Sequence, residues 1–298
     1  MLAREAGPDG ERAGIGRASS ALVISKPGIA AGVAAAGLAG MVLAGNGLPD
    51  GRTAALGLGC IVAAASGAAI VNGLFDAPLD ARMRRLSGRV AALGVVGERN
   101  ALALSLLLIA AALAVSFRYL NPLAGFLILA AVLSYSFLYT LYLKRRSPYG
   151  TIPGGVPGAL PVLVGYAAAS GRIGLPAFIL FFVMLLWQPP HFWTLAMKYQ
   201  DDYRIAGVPA MPAAFGEPYT RVLIFLYAVA LLPMSLALWI FGYCSGFFAG
   251  AAVLLWAYFI RSCYRNAVAT RRFGKAFGAS IVYMMGLLAA VIVDLSAR

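Results

Sequence analysis

Between residues 72 and 85 the chain sets Asn72, Asp76, Asp80, Arg82, Arg84 and Arg85 directly behind an apolar run, Ala54 to Ile70. Ionisable groups are costly next to hydrocarbon, so their placement at the end of such a run is a functional signal. Carboxylates four residues apart, with arginines close behind, suit the joint binding of a metal ion and a polyphosphate. Mg²⁺ takes a few hard oxygen ligands and completes its shell with phosphate oxygens, and the Arg fork grips phosphate bidentately. Asn72, Asp76 and Asp80, at i, i+4 and i+8, would share one face of a continuous helix. Pro78 argues against that continuity, because an interior proline removes a backbone hydrogen bond and clashes one turn back. The expectation is therefore a spanning helix that ends or kinks near Asp76, with Pro78 opening a short second helix. A plainer alternative is an ordinary helix end, with acids capping the next helix and arginines meeting lipid headgroups. Arg82, Arg85 and Arg89, spaced three and four apart, can present one face, which leaves Arg84 to point elsewhere.

A second acidic site follows much later, at Asp201-Asp202. Adjacent residues diverge by about 100° on a helix, so one of the pair at most faces a given ligand. Six of the 11 acids (Asp76, Asp80, Glu98, Asp201, Asp202, Glu217) fall in the two loops that carry these sites. That clustering suggests an internal repeat whose halves each supply metal ligands. Just before the second site lies Trp187-Gln188-Pro189-Pro190-His191-Phe192-Trp193, with the only histidine of the chain. A lone histidine among apolar residues is commonly a satisfied core group. The Pro-Pro break and the flanking tryptophans favour a ligand-facing role. Gly154-Gly155-Val156-Pro157-Gly158, at the start of another apolar run, suggests a bent helix that lets a bulky ligand approach the backbone.

The elements that must position these residues are membrane helices. Of 298 residues, 61% are hydrophobic and 12% charged, with mean hydropathy +0.83; soluble domains carry about 25% charged residues. Apolar runs able to cross about 30 Å of hydrocarbon occur at 28–46, 53–75, 101–118, 122–143, 152–170, 174–196, 220–242, 246–262 and 276–294. The fold class is all-α, a polytopic bundle of nine transmembrane helices around a central cavity. On alternate sides of that topology, all of the 24 Lys and Arg but Arg52, Arg118, Arg172 and Arg298 fall together. The positive-inside rule then makes the N-terminus cytoplasmic and the C-terminus external. The net charge of +13 reflects this topology, so nucleic acid is not an expected partner. Cys60, Cys244 and Cys263 are too far apart for a metal-ligand spacing and read as buried fillers. Residues 1–25 lack a signal-peptide core and are expected to form a flexible cytoplasmic tail, ahead of one membrane domain over 26–298. A transporter should carry ionisable residues at the bilayer midplane. The central turns of the nine runs have none, which favours an enzyme.

Four stretches, NGLFDAPLDARMRR, YTLYLKRRSPYGTIPGGVPGALPVLVGYAA, QPPHFWTLAMKYQDDY and AGVPAMP, spread in order from residue 72 to residue 212, resemble the UbiA-type intramembrane prenyltransferases. Within them they resemble the branch that farnesylates haem B. The family's usual first motif, Asn-x-x-x-Asp-Arg-Asp-x-Asp, is altered here: Ala77 stands for the Arg and Pro78 for the middle Asp. The resemblance implies Mg²⁺ as cofactor, and farnesyl diphosphate, haem B and membrane lipid as partners. Haem A synthase or oxidase assembly factors are candidate associates, and the cell (inner) membrane the location. It implies Asp76, Asp80, Asp201 and Asp202 as catalytic acids, with Asp76, Asp80 and Asp202 holding the metal and Asn72 orienting them. Arg82, Arg85, Arg89, Lys144, Arg145 and Lys198 become diphosphate contacts, and His191 addresses haem through its iron or a propionate. Another aromatic acceptor, such as a hydroxybenzoate or a chlorin, is the alternative within the family.

Overall fold

A computed structural model describes residues 16–298, and among these there is no strand. Among the described residues, nine helices are long and apolar enough to cross a membrane: α2 (Pro27–Gly45), α3 (Gly51–Asp80), α5 (Glu98–Leu120), α6 (Pro122–Arg146), α7 (Pro148–Ser170), α8 (Leu175–Lys198), α10 (Met211–Ile240), α11 (Gly246–Ala269) and α12 (Phe273–Ser296). Three short helices, α1 (Arg17–Ser25), α4 (Ser87–Val96) and α9 (Gln200–Ile205), lie between or before them. The nine spans agree with the sequence expectation; all three cysteines are free and buried.

The spans close into a ring. The α2 helix packs on α3, α7 and α12; α3 packs on α5, α6 on α7, α7 on α8, α8 on α10, and α11 on α12. Contact between α2 and α7 is close because both are rich in small residues. A Cβ at Gly40 would fall 2.1 Å from the Val162 carbonyl oxygen, and one at Gly165 would fall 1.9 Å from the Gly37 carbonyl oxygen. In lipid, where apolar burial gives helices no reason to associate, such backbone approach provides the packing.

Three local expectations are corrected. First, α3 runs through Pro78 to Asp80. The proline sits in the last turn, where Ala81 and Arg82 still donate their N–H groups to Ala77 and Leu79, so the missing donor ends nothing. Second, the tail expected over 1–25 includes a helix: Arg17–Ser25 packs against α4 and α3, burying Ile24 beside Ile70 and Leu93. Residues 1–15 of that expectation lie outside the described residues. Third, α8 stays helical through Pro189 and Pro190, so the Pro-Pro pair is no break. Further along, α10 begins at Met211, well before residue 220, and turns sharply at Gly216, whose φ of 82° is open to glycine.

Candidate active site

Because α3 is continuous, Asn72, Asp76 and Asp80 do share one face, and that face is inward: the three are 4%, 0% and 2% exposed. Each buried carboxylate is met by cations from other helices. Lys144 donates to Asp76 Oδ2 at 2.5 Å, Asn72 Nδ2 donates to the same oxygen at 2.8 Å, and Arg145 reaches Oδ1 at 3.4 Å. Arg145 also donates to the Phe75 carbonyl at 2.7 Å. Lys144 and Arg145 can meet α3 because α6 is wound as a wider π-helix over Ser134–Leu143, a local change of pitch often found at functional sites. That stretch also presents Thr140, which accepts from Asn72 at 3.0 Å and donates to the Tyr135 carbonyl. Asp80 is paired with Arg89 from α4, while its Oδ1 is buried with no hydrogen-bond partner among the described residues.

A further cation, Lys26, joins this cluster, and the sequence reading missed it. At φ 54° it holds a left-handed conformation uncommon for a residue with a side chain. The bend it makes between α1 and α2 carries its Nζ to Asn72 Oδ1 at 2.6 Å. The available signal was a lysine placed directly before Pro27 at a helix start. Burial, with Arg89 and Lys144 nearby, pushes the Lys26 ammonium down to about 7, with Asp80 and Asp76 opposing that shift.

Arg85 lies apart from these pairs. Its backbone N–H donates to Asp202 Oδ2 at 3.3 Å, its Nε is 3.9 Å from that oxygen, and its NH2 donates to the Tyr203 hydroxyl at 2.9 Å. Its guanidinium also lies 5.1 Å from the ring centroids of Tyr199 and Tyr203, so it fastens the turn after α3 to α9. Asp201 points the other way: its side chain is 90% exposed and its contact is Arg204 at 3.9 Å. Arg82 and Lys198 are exposed as well, and Lys198 lies over the Tyr199 ring at 4.9 Å. Thus Asn72, Asp76, Asp80, Arg89, Lys144 and Arg145 come together, Arg85 and Asp202 join at one edge, and Asp201, Arg82 and Lys198 stay outside. The shared face expected for Arg82, Arg85 and Arg89 fails because the chain turns between α3 and α4.

Inward from the charged end lies a cavity of about 720 Å³, lined mostly by apolar side chains. Lys26 lines it at the charged end, and Tyr135 and Tyr139 of α6 and His191 of α8 line it as well. The glycine-rich start of α7 borders it through Gly154 and Gly158, though Tyr139 and Gln188 pack directly on those two glycines. His191 is enclosed: its ring stacks on Trp187 at 4.3 Å and on Phe277 at 4.5 Å, and its Nδ1 is 2.7 Å from Ser280 Oγ.

Among the described residues no three His, Cys, Asp or Glu side chains form a ready-made metal cage. Mg²⁺ does not need one, since it is commonly bound by one or two carboxylates plus substrate phosphates. The orphaned buried oxygen of Asp80 fits that role. Asp76, with both oxygens already engaged by Lys144, Asn72 and Arg145, fits it poorly.

Known proteins resemble this chain in sequence and fold. Residues 33–290 match the model of the UbiA prenyltransferase family. A protoheme IX farnesyltransferase of Geotalea uraniireducens (strain Rf4) is 54% identical over 258 residues, covering 87% of this chain and all of that protein. One from Aquifex aeolicus (strain VF5) is 36% identical, covering 92% of this chain and 94% of its own. Among solved structures, a digeranylgeranylglyceryl phosphate synthase superposes with a TM-score of 0.75 at 18% identity over 95% of this chain and 99% of its own. A UbiA homologue from Archaeoglobus fulgidus, bound to DMAPP and Mg²⁺, gives 0.65 at 14% identity over 92% and 99%. These two share the fold. With nine apolar spans among the described residues, a charged cluster on the third helix and this extent of sequence identity, the chain is a multi-pass membrane protein that belongs to the UbiA prenyltransferase family.

Proposed function

We propose that the chain transfers the farnesyl group of farnesyl diphosphate to a vinyl group of haem B, giving the hydroxyethylfarnesyl side chain of haem O. The observation that supports this most is one apolar cavity with Lys26 at its charged end and an enclosed His191 on its wall. An isoprenoid and a porphyrin both suit apolar walls, which also keep water from an allylic cation. At the charged end Lys26, Arg89, Lys144 and Arg145 face only Asp76 and Asp80. That surplus of positive charge suits a diphosphate and gains strength as the leaving group takes up charge. Asp80 and Asp202 would hold Mg²⁺ together with phosphate oxygens; when bound, the metal supplies Lewis-acid neutralisation of the departing diphosphate. Asp76 holds Lys144 and Arg145 in place, and Asn72 holds Lys26. The C–O bond to diphosphate breaks, the allylic cation bonds to the vinyl carbon, and water adds to the resulting cation with loss of a proton. His191 receives the haem. The bias of lysines and arginines to one side supports a reading in which the charged end, with the N-terminus, faces the cytoplasm across the cell membrane.

Membranes carrying the protein are to be incubated with haem B, farnesyl diphosphate and Mg²⁺, and the extracted haems weighed by mass spectrometry. A haem heavier by one farnesyl group plus one hydroxyl is expected. Unchanged haem B would contradict the reading, and prenylation of a supplied hydroxybenzoate in its place would select the other acceptor class.

A further inference from the structure

We propose that Ser280 fixes His191 as the tautomer carrying its proton on Nδ1, so that Nε2 offers a lone pair to the cavity as an axial ligand for haem iron. The inference rests on the haem reading above and decides between the two ways a histidine can meet haem, at the iron or at a propionate.

A hydroxyl has one proton and accepts with what remains. Ser280 Oγ is 2.6 Å from the Phe277 carbonyl oxygen and 2.7 Å from His191 Nδ1. The carbonyl can only accept, and two oxygens at that distance with no proton between them repel. The Ser280 proton therefore goes to Phe277. Oγ is then left as an acceptor toward His191, and the proton between them belongs to Nδ1. A neutral imidazole protonated at Nδ1 is unprotonated at Nε2. Such a nitrogen can bind a metal and cannot donate to a carboxylate.

The same serine holds the surroundings of the ring. Its backbone carbonyl accepts from Trp187 Nε1 at 2.7 Å, and its hydroxyl is tied to Phe277. Trp187 and Phe277 are the two plates that cover the imidazole faces, at interplanar angles of 26° and 28°. Ser280 itself is fully buried. With both faces covered and Nδ1 engaged, the edge carrying Nε2 is what the ring leaves for the cavity that His191, Trp187 and Phe277 line. Ligating histidines elsewhere are oriented by a hydrogen bond from the other ring nitrogen, and losing that bond costs about 10- to 100-fold in metal affinity. Ser280 is a positioning residue in this sense.

The test compares haem B with metal-free protoporphyrin IX, which keeps both propionates and lacks iron. Affinities and visible spectra are measured on purified wild type, Ser280→Ala, Ser280→Thr and His191→Ala, with farnesyl diphosphate binding as the check on folding. The expected result is a histidine-ligated iron spectrum in wild type, lost in His191→Ala. Ser280→Ala should weaken haem about 10- to 100-fold, leave protoporphyrin affinity unchanged, and be rescued by Ser280→Thr. Equal losses for haem and protoporphyrin in His191→Ala would overturn the inference in favour of a propionate donor. Unchanged haem affinity and spectrum in Ser280→Ala would overturn the role of the serine. If wild type binds neither porphyrin, the haem reading itself fails and takes this inference with it.

Discussion

The two acidic sites look equivalent in the sequence and are built differently. The first lies on one face of a long helix, with Asp76 and Asp80 buried and each met by a cation from another helix. The second lies on the short α9, where Asp201 faces outward and Asp202 reaches the turn that follows α3 through Arg85. Spacing is the cause. Residues four apart align on a helix, and residues one apart diverge by about 100°, so an Asp-Asp pair presents one carboxylate inward where an i, i+4 pair presents two. The two sites are thus unequal: the first supplies a buried charged end and the second a single acid that holds its edge.

Substitutions can break this comparison, and the largest effect is expected at Asp80. Asp80→Asn keeps the shape but removes the anionic oxygen that has no partner. Haem O formation should fall about 10²- to 10³-fold, as when one stabilising group is removed from a charged transition state, with haem binding unchanged. Asp76→Asn should differ in kind. It leaves Lys144 without its buried partner, a change that costs about 3–5 kcal/mol in such pairs. Its thermal unfolding midpoint should drop along with its rate, whereas that of Asp80→Asn should move less.

At the second site, Asp202→Asn frees Arg85 and should slow transfer about 10- to 100-fold, on the scale of residues that orient a metal site. Asp201→Asn should stay within about twofold of wild type, as exposed positions do. A rate loss shared equally by the two would mean that both acids of the second site act, as both acids of the first do.

Lys26 gives a smaller, pH-dependent effect. Its ammonium, held down to about 7, is charged below that pH and neutral above it, so farnesyl diphosphate binding should weaken as pH rises through neutrality. Lys26→Arg keeps its charge throughout and should flatten that limb of the profile; an unchanged pH dependence in this variant would remove Lys26 from the diphosphate site. The smallest change is expected for Pro78→Asp, which restores an acid of the family's usual motif. Position 78 is exposed on α3, so the new carboxylate points away from the cluster and should leave Mg²⁺ dependence within about twofold.

Much of this was legible in the sequence. Nine apolar runs of sufficient length give nine spans because the bilayer imposes that length, and the i, i+4, i+8 spacing names the buried face of α3. The effect of Pro78 was not legible, since a missing donor and a clash one turn back weaken a helix without fixing where it ends, and here Ala81 and Arg82 still donate to Ala77 and Leu79. Lys26 escaped because its role depends on one left-handed backbone conformation between two helices. Ser280 escaped because nothing local marks a serine that lies against a histidine 89 positions away. Arg82 and Lys198 enter the expected site through the resemblance and their charge, neither of which specifies direction: both are exposed.

The central claim is that the buried end of α3 is where metal and diphosphate meet. It is tested most directly by titrating farnesyl diphosphate into the purified protein in lipid nanodiscs, with and without Mg²⁺, for wild type, Asp80→Asn and Asp201→Asn. Mg²⁺ should tighten binding in wild type and in Asp201→Asn, and have no effect in Asp80→Asn. Metal-dependent tightening that survives in Asp80→Asn and is lost in Asp201→Asn would contradict it.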